Sequence, residues 1–119
     1  MRKIFSLSSC DTSRRILKES GIESLGFEIQ DIKQTPISKE DLDAMKNLAG
    51  SYEALFSRRA QKYKILGLKN IELSEESIRN YILQEYTFLK RPVIIDGAAI
   101  FIGNSKKTIT LLMEHLKPN

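Results

Sequence analysis

Apolar and polar positions follow two rhythms along this chain, and each change of rhythm marks an element. Lys3-Ile4-Phe5-Ser6-Leu7 is short and β-prone, which predicts a buried strand near the N-terminus. Small polar residues follow in Ser8-Ser9-Cys10-Asp11-Thr12-Ser13, several of them suited to cap a helix. Ile16 and Leu17 give the stretch 14–20 an apolar face, and Gly21 stands where a helix would end. Leu25-Gly26-Phe27-Glu28-Ile29 alternates apolar and polar side chains, as a second strand should. The opening therefore reads strand, loop, helix, strand, a unit whose strands run parallel with a right-handed crossover.

Thr35-Pro36 breaks the pattern, and Ser38 with Asp41 resembles a capping box in which Asp replaces Glu. Leu42, Met45, Leu48 and Ala49 recur at helical spacing up to Gly50. The stretch 51–68 is mixed and predicts short helical pieces, with a stop at Gly67. Ser74 and Ser77 open another helix carrying Ile78 and Ile82. Arg91 to Gly97 reads as a strand running into an Asp-Gly turn, with Ala98 to Ile102 pairing back. Ile109, Leu112, Met113 and Leu116 stripe a last helix from Ser105, ended by Pro118. This order predicts an α/β, thioredoxin-like fold: a four-stranded mixed sheet with a helical insertion over about 36–88. The 119 residues contain no linker, repeat or low-complexity segment, so a single domain is expected.

Composition narrows the chemistry. Hydrophobic residues at 41% and charged residues at 29% fit a globular protein and argue against disorder. No apolar run is long enough to cross a bilayer, and no apolar h-region follows the start, so neither a membrane partner nor a signal peptide is expected. A cytoplasmic location is the default. One Cys and one His exclude an intrachain disulfide and an all-protein Cys/His zinc cage. The net charge of +4 is spread in short pairs, without a basic run or a tyrosine-rich basic strip, so no direct nucleic-acid partner is expected. Tyr52, Tyr63, Tyr81 and Tyr86 read as half-buried packing residues, and His115 as a surface residue late on the last helix.

Cys10 is the informative position. It follows a strand and precedes a helix, where free N–H groups and the helix dipole favour an anion and lower a thiol pKa. The same N–H groups suit an oxyanion beside the sulfur. A free Cys is also a common small core residue, but the flanks here are small and polar rather than apolar.

Cys10-Asp11-Thr12-Ser13-Arg14 resembles the Cys-x-Thr-Ser-Arg loop of the glutaredoxin-coupled arsenate reductases, the ArsC/Spx family. Tyr63, Leu66, Gly67 and Leu68 are similar to the family's Tyr-x-x-Leu-Gly-Leu segment, and Lys90-Arg91-Pro92-Val93-Ile94-Ile95-Asp96 to its Arg-Pro strand. The resemblance spans essentially the whole chain. It implies that Cys10 is a nucleophile that attacks arsenic(V). It places Thr12, Ser13 and Arg14 in the loop that cups the oxyanion, and Arg91 as a guanidinium fork on its oxygens. Pro92 matches the cis-proline that faces the cysteine in this fold.

The chain also departs from that pattern. Two further arginines of arsenate-reducing members fall on Ser57, with Arg58 and Arg59 adjacent as substitutes, and on Asn104. Ser6 stands where such members carry a His. Each lost charge-assisted contact is worth ~1.5–3 kcal/mol. With one cysteine, turnover requires an external thiol, so glutathione or glutaredoxin is the expected reductant and partner, with no bound cofactor. The leading reading is therefore a thiol-dependent oxidoreductase acting on an oxyanion or an oxidised thiol. The rival is a non-enzymatic regulator resembling Spx, docking on the RNA polymerase α-subunit, for which Gly50 lies near the family's polymerase-contact glycine. Ser13 occupies the second position of the Cys-x-x-Cys redox switch that most such regulators use.

Overall fold

The computed structural model describes residues 1–118. They form two compact units: Met1–Thr35 together with the segment from Arg91 onward, and Pro36–Lys90. The insertion expected over 36–88 is thus a unit in its own right, two residues longer.

The first unit is built on a four-stranded mixed sheet of order β2-β1-β3-β4. Its strands are β1 (Arg2–Ser6), β2 (Glu28–Asp31), β3 (Val93–Asp96) and β4 (Ala99–Ile102). β1 pairs parallel with β2, placing Ser6 opposite Asp31, and antiparallel with β3, placing Ile4 opposite Ile94. β3 and β4 form the expected hairpin, with Asp96 opposite Ala99. Its two-residue turn is Gly97-Ala98, shifted by one from the Asp-Gly expectation, and Gly97 takes φ +62. Helices α1 (Asp11–Ser20) and α5 (Lys106–Leu116) complete the unit. Ile16, Leu17 and Leu112 join Ile4, Ile22, Phe27 and Ile94 in its core.

Two boundaries differ from the pattern reading. α1 starts at Asp11 rather than Arg14, because the polar run 11–13 supplies the first helical turn instead of a loop. β2 starts at Glu28 rather than Leu25. A 3-10 turn over Ile22–Ser24 occupies the stretch before it, and only Phe27 of the three alternating apolar residues is buried. β2 is an edge strand, which leaves Ile29 48% exposed despite the apparent alternation. Across the sheet, Asp96 gathers Arg2 Nε (3.0 Å) and His115 Nε2 (3.0 Å), tying β1 and α5 to β3.

The second unit holds α2 (Lys39–Ala49), α3 (Gln61–Ile65) and α4 (Glu75–Gln84), with 3-10 turns between. Ser38 accepts from the Asp41 N–H at 3.0 Å and Ser74 from the Ser77 N–H at 3.1 Å, as the capping patterns predict. Gly50 closes α2 at φ +94, a conformation only glycine adopts without cost. Leu42, Met45, Leu55, Phe56, Leu68, Ile78, Ile82 and Phe88 are among its buried side chains. Phe56 stacks on Phe88 (5.2 Å) and meets Tyr63 edge-on (6.1 Å). A polar clasp supplements this packing: the Arg79 guanidinium grips Asp43 at 2.8 and 3.2 Å, and Tyr52 donates to the same carboxylate at 2.6 Å. Glu75 accepts from the N–H groups of Tyr52 and Glu53 at 2.7 and 3.1 Å.

The Arg79 hydrogen bonds, then the Tyr52 hydroxyl, hold the Asp43 carboxyl down at about 2, against a smaller opposing effect of burial. Its ionised form is favoured by folding, so its contribution to stability is complete above about pH 4 and fades as pH falls toward that lowered value. Denaturant titrations across this acid range should show Asp43→Asn less stable than wild type at neutral pH, with the difference shrinking as pH drops. A difference independent of pH would contradict this account.

Candidate active site

β1 ends at Ser6, and the chain turns through Ser8 and Ser9 before α1 begins. The Cys10 N–H donates to the Leu7 carbonyl at 2.9 Å, closing that turn. The Cys10 carbonyl accepts from the Arg14 N–H at 3.0 Å, which is the first helical bond. Cys10 is therefore the residue at the N-cap of α1, in extended conformation with φ −91 and ψ 110. Its side chain makes no capping bond as a thiol. A neutral thiol is a weak acceptor, whereas a thiolate at this position faces N–H groups that the helix leaves unpartnered.

Ser13 is wholly buried, and its hydroxyl has no partner of ordinary hydrogen-bond geometry among the described residues. It lies close enough to the sulfur to bias its ionisation. Burial pushes the Cys10 thiol up, but the Ser13 hydroxyl, the Ser13 N–H, the Arg91 charge and the Thr12 N–H together pull it below its ordinary value.

Arg91 and Pro92 enter the same unit just before β3, and the bond between them is cis. Asn104 Nδ2 donates to the Arg91 carbonyl at 3.4 Å, and the Gly103 N–H to the Pro92 carbonyl at 2.8 Å. The position that departs from arginine thus holds the backbone beneath Arg91. Arg14 turns to the Asp11 carboxylate one helical turn back, and both side chains are largely exposed. Ser6 is buried at the end of β1.

Cys10, Thr12, Ser13, Arg14, Arg91 and Pro92 all belong to the first unit, whereas Arg58 and Arg59 belong to the second. There Arg58 lies 3.6 Å from Glu53 and over the Phe56 ring, and Arg59 is exposed. The bond from Ser8 Oγ to Asp31 at the end of β2 has no signal in the sequence. It depends on the β1–β2 register, which spacing alone does not reveal. No group of three or more His, Cys, Asp or Glu among the described residues is arranged to hold a metal ion.

A model of the ArsC family matches residues 5–111. This chain belongs to the ArsC family. Among its relatives is the global transcriptional regulator Spx of Streptococcus agalactiae serotype V, 26% identical over 110 residues. That match spans 92% of this chain and 80% of the regulator; the serotype III regulator matches equally. Arsenate reductase from Vibrio cholerae is similar in structure, with a TM-score of 0.78 at 18% identity over 97% of each chain. An arsenate reductase-related protein from Brucella melitensis gives 0.70 at 19% identity over 92% of each. These likenesses bear out the thioredoxin-like α/β fold expected of an ArsC member.

The Ser13 hydroxyl should matter more to the thiolate than to the fold. Ser13→Ala is expected to slow alkylation of Cys10 at neutral pH by roughly tenfold, the scale of one hydrogen bond to a charged group. Rates followed across pH should show the midpoint displaced upward.

Proposed function

We propose that this ArsC-family chain is a thiol-dependent oxidoreductase in which the Cys10 thiolate is the nucleophile. The carrying observation is the place of Cys10 at the N-cap of α1, where the Ser13 hydroxyl, the Ser13 and Thr12 N–H groups and the Arg91 charge all favour its thiolate. An anion that binds there meets the same N–H groups, and the Arg91 fork suits a tetrahedral oxyanion.

With arsenate, an S–As bond forms as an As–O bond breaks, and the departing oxygen leaves as water after protonation. Reduction of arsenic(V) to arsenic(III) takes two electrons, supplied as the Cys10 sulfur and one external thiol become a disulfide. A second external thiolate then attacks that disulfide and releases Cys10 as thiolate. With an oxidised thiol as substrate, Cys10 attacks one disulfide sulfur and expels the other as thiolate, and an external thiolate resolves the mixed disulfide. Glutathione or glutaredoxin fills the external role, which suits a cytoplasmic setting. Arg14, in the same unit as Cys10, is a candidate for an additional oxyanion contact.

A second reading draws on the similarity to the Spx regulators: docking on the α-subunit of RNA polymerase through the unit 36–90. Gly50, the exposed cap of α2, is the residue through which the family resemblance suggests that contact.

Alkylation of Cys10 across pH, with and without arsenate, tests the enzyme reading. A midpoint below the ~8.5 of a free cysteine, together with protection by arsenate, is expected. Cys10→Ser should abolish turnover in a glutathione- and glutaredoxin-coupled assay, and undiminished turnover in that variant would remove the proposal. An ordinary thiol midpoint, no arsenate protection and capture by the carboxy-terminal domain of the polymerase α-subunit would favour the regulator instead.

A further inference from the structure

The turn that delivers Cys10 is closed by the Cys10 N–H on the Leu7 carbonyl, but its own residues do little to pre-set it. Ser8 and Ser9 form its centre, both exposed, and neither is a proline or glycine that would pre-set the backbone. Yet Cys10 must leave the turn in one extended conformation for the N–H groups at the start of α1 to meet its sulfur.

A further restraint comes from the neighbouring strand. Asp31, the last residue of β2, sits opposite Ser6 in the parallel register. Its Oδ2 accepts from the Ser8 hydroxyl, and its Oδ1 accepts from the Lys33 N–H at 3.0 Å. The backbone on both sides is pinned as well: the Ile32 N–H donates to the Ser6 carbonyl at 3.0 Å and the Thr35 N–H to the Asp31 carbonyl at 2.9 Å. The Ser8 hydroxyl, then the Lys33 N–H, hold the Asp31 carboxyl below the usual carboxylate range against burial, with the Ser8 and Gln34 N–H groups adding to the pull. The carboxylate is therefore ionised, and a strong acceptor, wherever Cys10 reacts.

A carboxylate close to a nucleophilic loop is costly if it acts only by charge, because through space it disfavours both a thiolate and an incoming oxyanion. We propose that Asp31 is a positioning residue for Cys10, fixing the Leu7–Cys10 turn through Ser8 so that the sulfur meets the free N–H groups of α1. This rests on the reading of Cys10 as the reactive thiol. It places Asp31 outside the reacting atoms and makes the β1–β2 register part of the thiol's activation.

Position and charge predict opposite signs. Removing a bystander anion would ease ionisation of the thiol, whereas removing the clamp would loosen the N–H groups from the sulfur and hinder it. The experiment measures alkylation of Cys10 against pH in the full chain, in Asp31→Ala, Ser8→Ala and the double variant, with thermal melts alongside. Each single change should displace the midpoint upward and slow the reaction at neutral pH by roughly threefold, as for one weakened hydrogen bond to a charged group. The double variant should be no slower than Asp31→Ala, since both act through one contact. A midpoint that stays or falls in Asp31→Ala, or a silent Ser8→Ala, overturns the inference. If Asp31→Ala does not fold, the exposed Ser8→Ala decides alone. A wild-type midpoint at the ordinary thiol value sinks the catalytic reading, whereas a low midpoint common to all the variants sinks the positioning role only.

Discussion

The first N–H groups of a helix have no partners within it, and here a cysteine stands at the N-cap beside them. That placement demands much of the surrounding chain. β1 must end at Ser6, the turn through Ser8 and Ser9 must close on Leu7, and α1 must begin at Asp11 with Cys10 as its cap. A shift of one residue in any of these would carry the sulfur off the helix axis and into the core or the solvent. The central position of β1, hydrogen-bonded on both edges by β2 and β3, resists such a slip.

Charge is used sparingly around the thiol. Arg91 is the side-chain charge that lowers it, while the Ser13 hydroxyl and two N–H groups supply neutral dipoles. Dipoles held by a helix and a buried side chain need little rearrangement when the sulfur ionises. Asn104, lacking the charge expected at its position, contributes instead to the backbone that carries Arg91. The arrangement suits a thiolate well and a highly charged oxyanion less completely, which is the ground for proposing an oxidised thiol beside arsenate.

The second unit is stabilised by different means. Its aromatic stack of Phe56 and Phe88 is joined by a clasp in which Asp43, Arg79 and Tyr52 satisfy one another. Such a cluster links α2 to α4 by direction-dependent bonds, so it constrains the angle between them more tightly than apolar contact does.

Much of this was legible along the chain. Ser38, Ser74 and Ser105 cap the helices that their patterns announced, and the hairpin after Pro92 lies within one residue of its expected turn. Cys10 between strand and helix was legible too, because a cap and a free thiol are both local features. The edge strand misled: alternation at Leu25, Phe27 and Ile29 looks like a buried face, but burial depends on which strands flank it. The sequence by itself determined the elements, their order and the single cysteine at a helix start, since propensity and periodicity act over a few residues. Only the tertiary structure decided that Asp31 meets Ser8 and that Arg91 acts on Cys10, because those meetings follow from strand register across 23 and about 80 positions of chain, which no local pattern encodes.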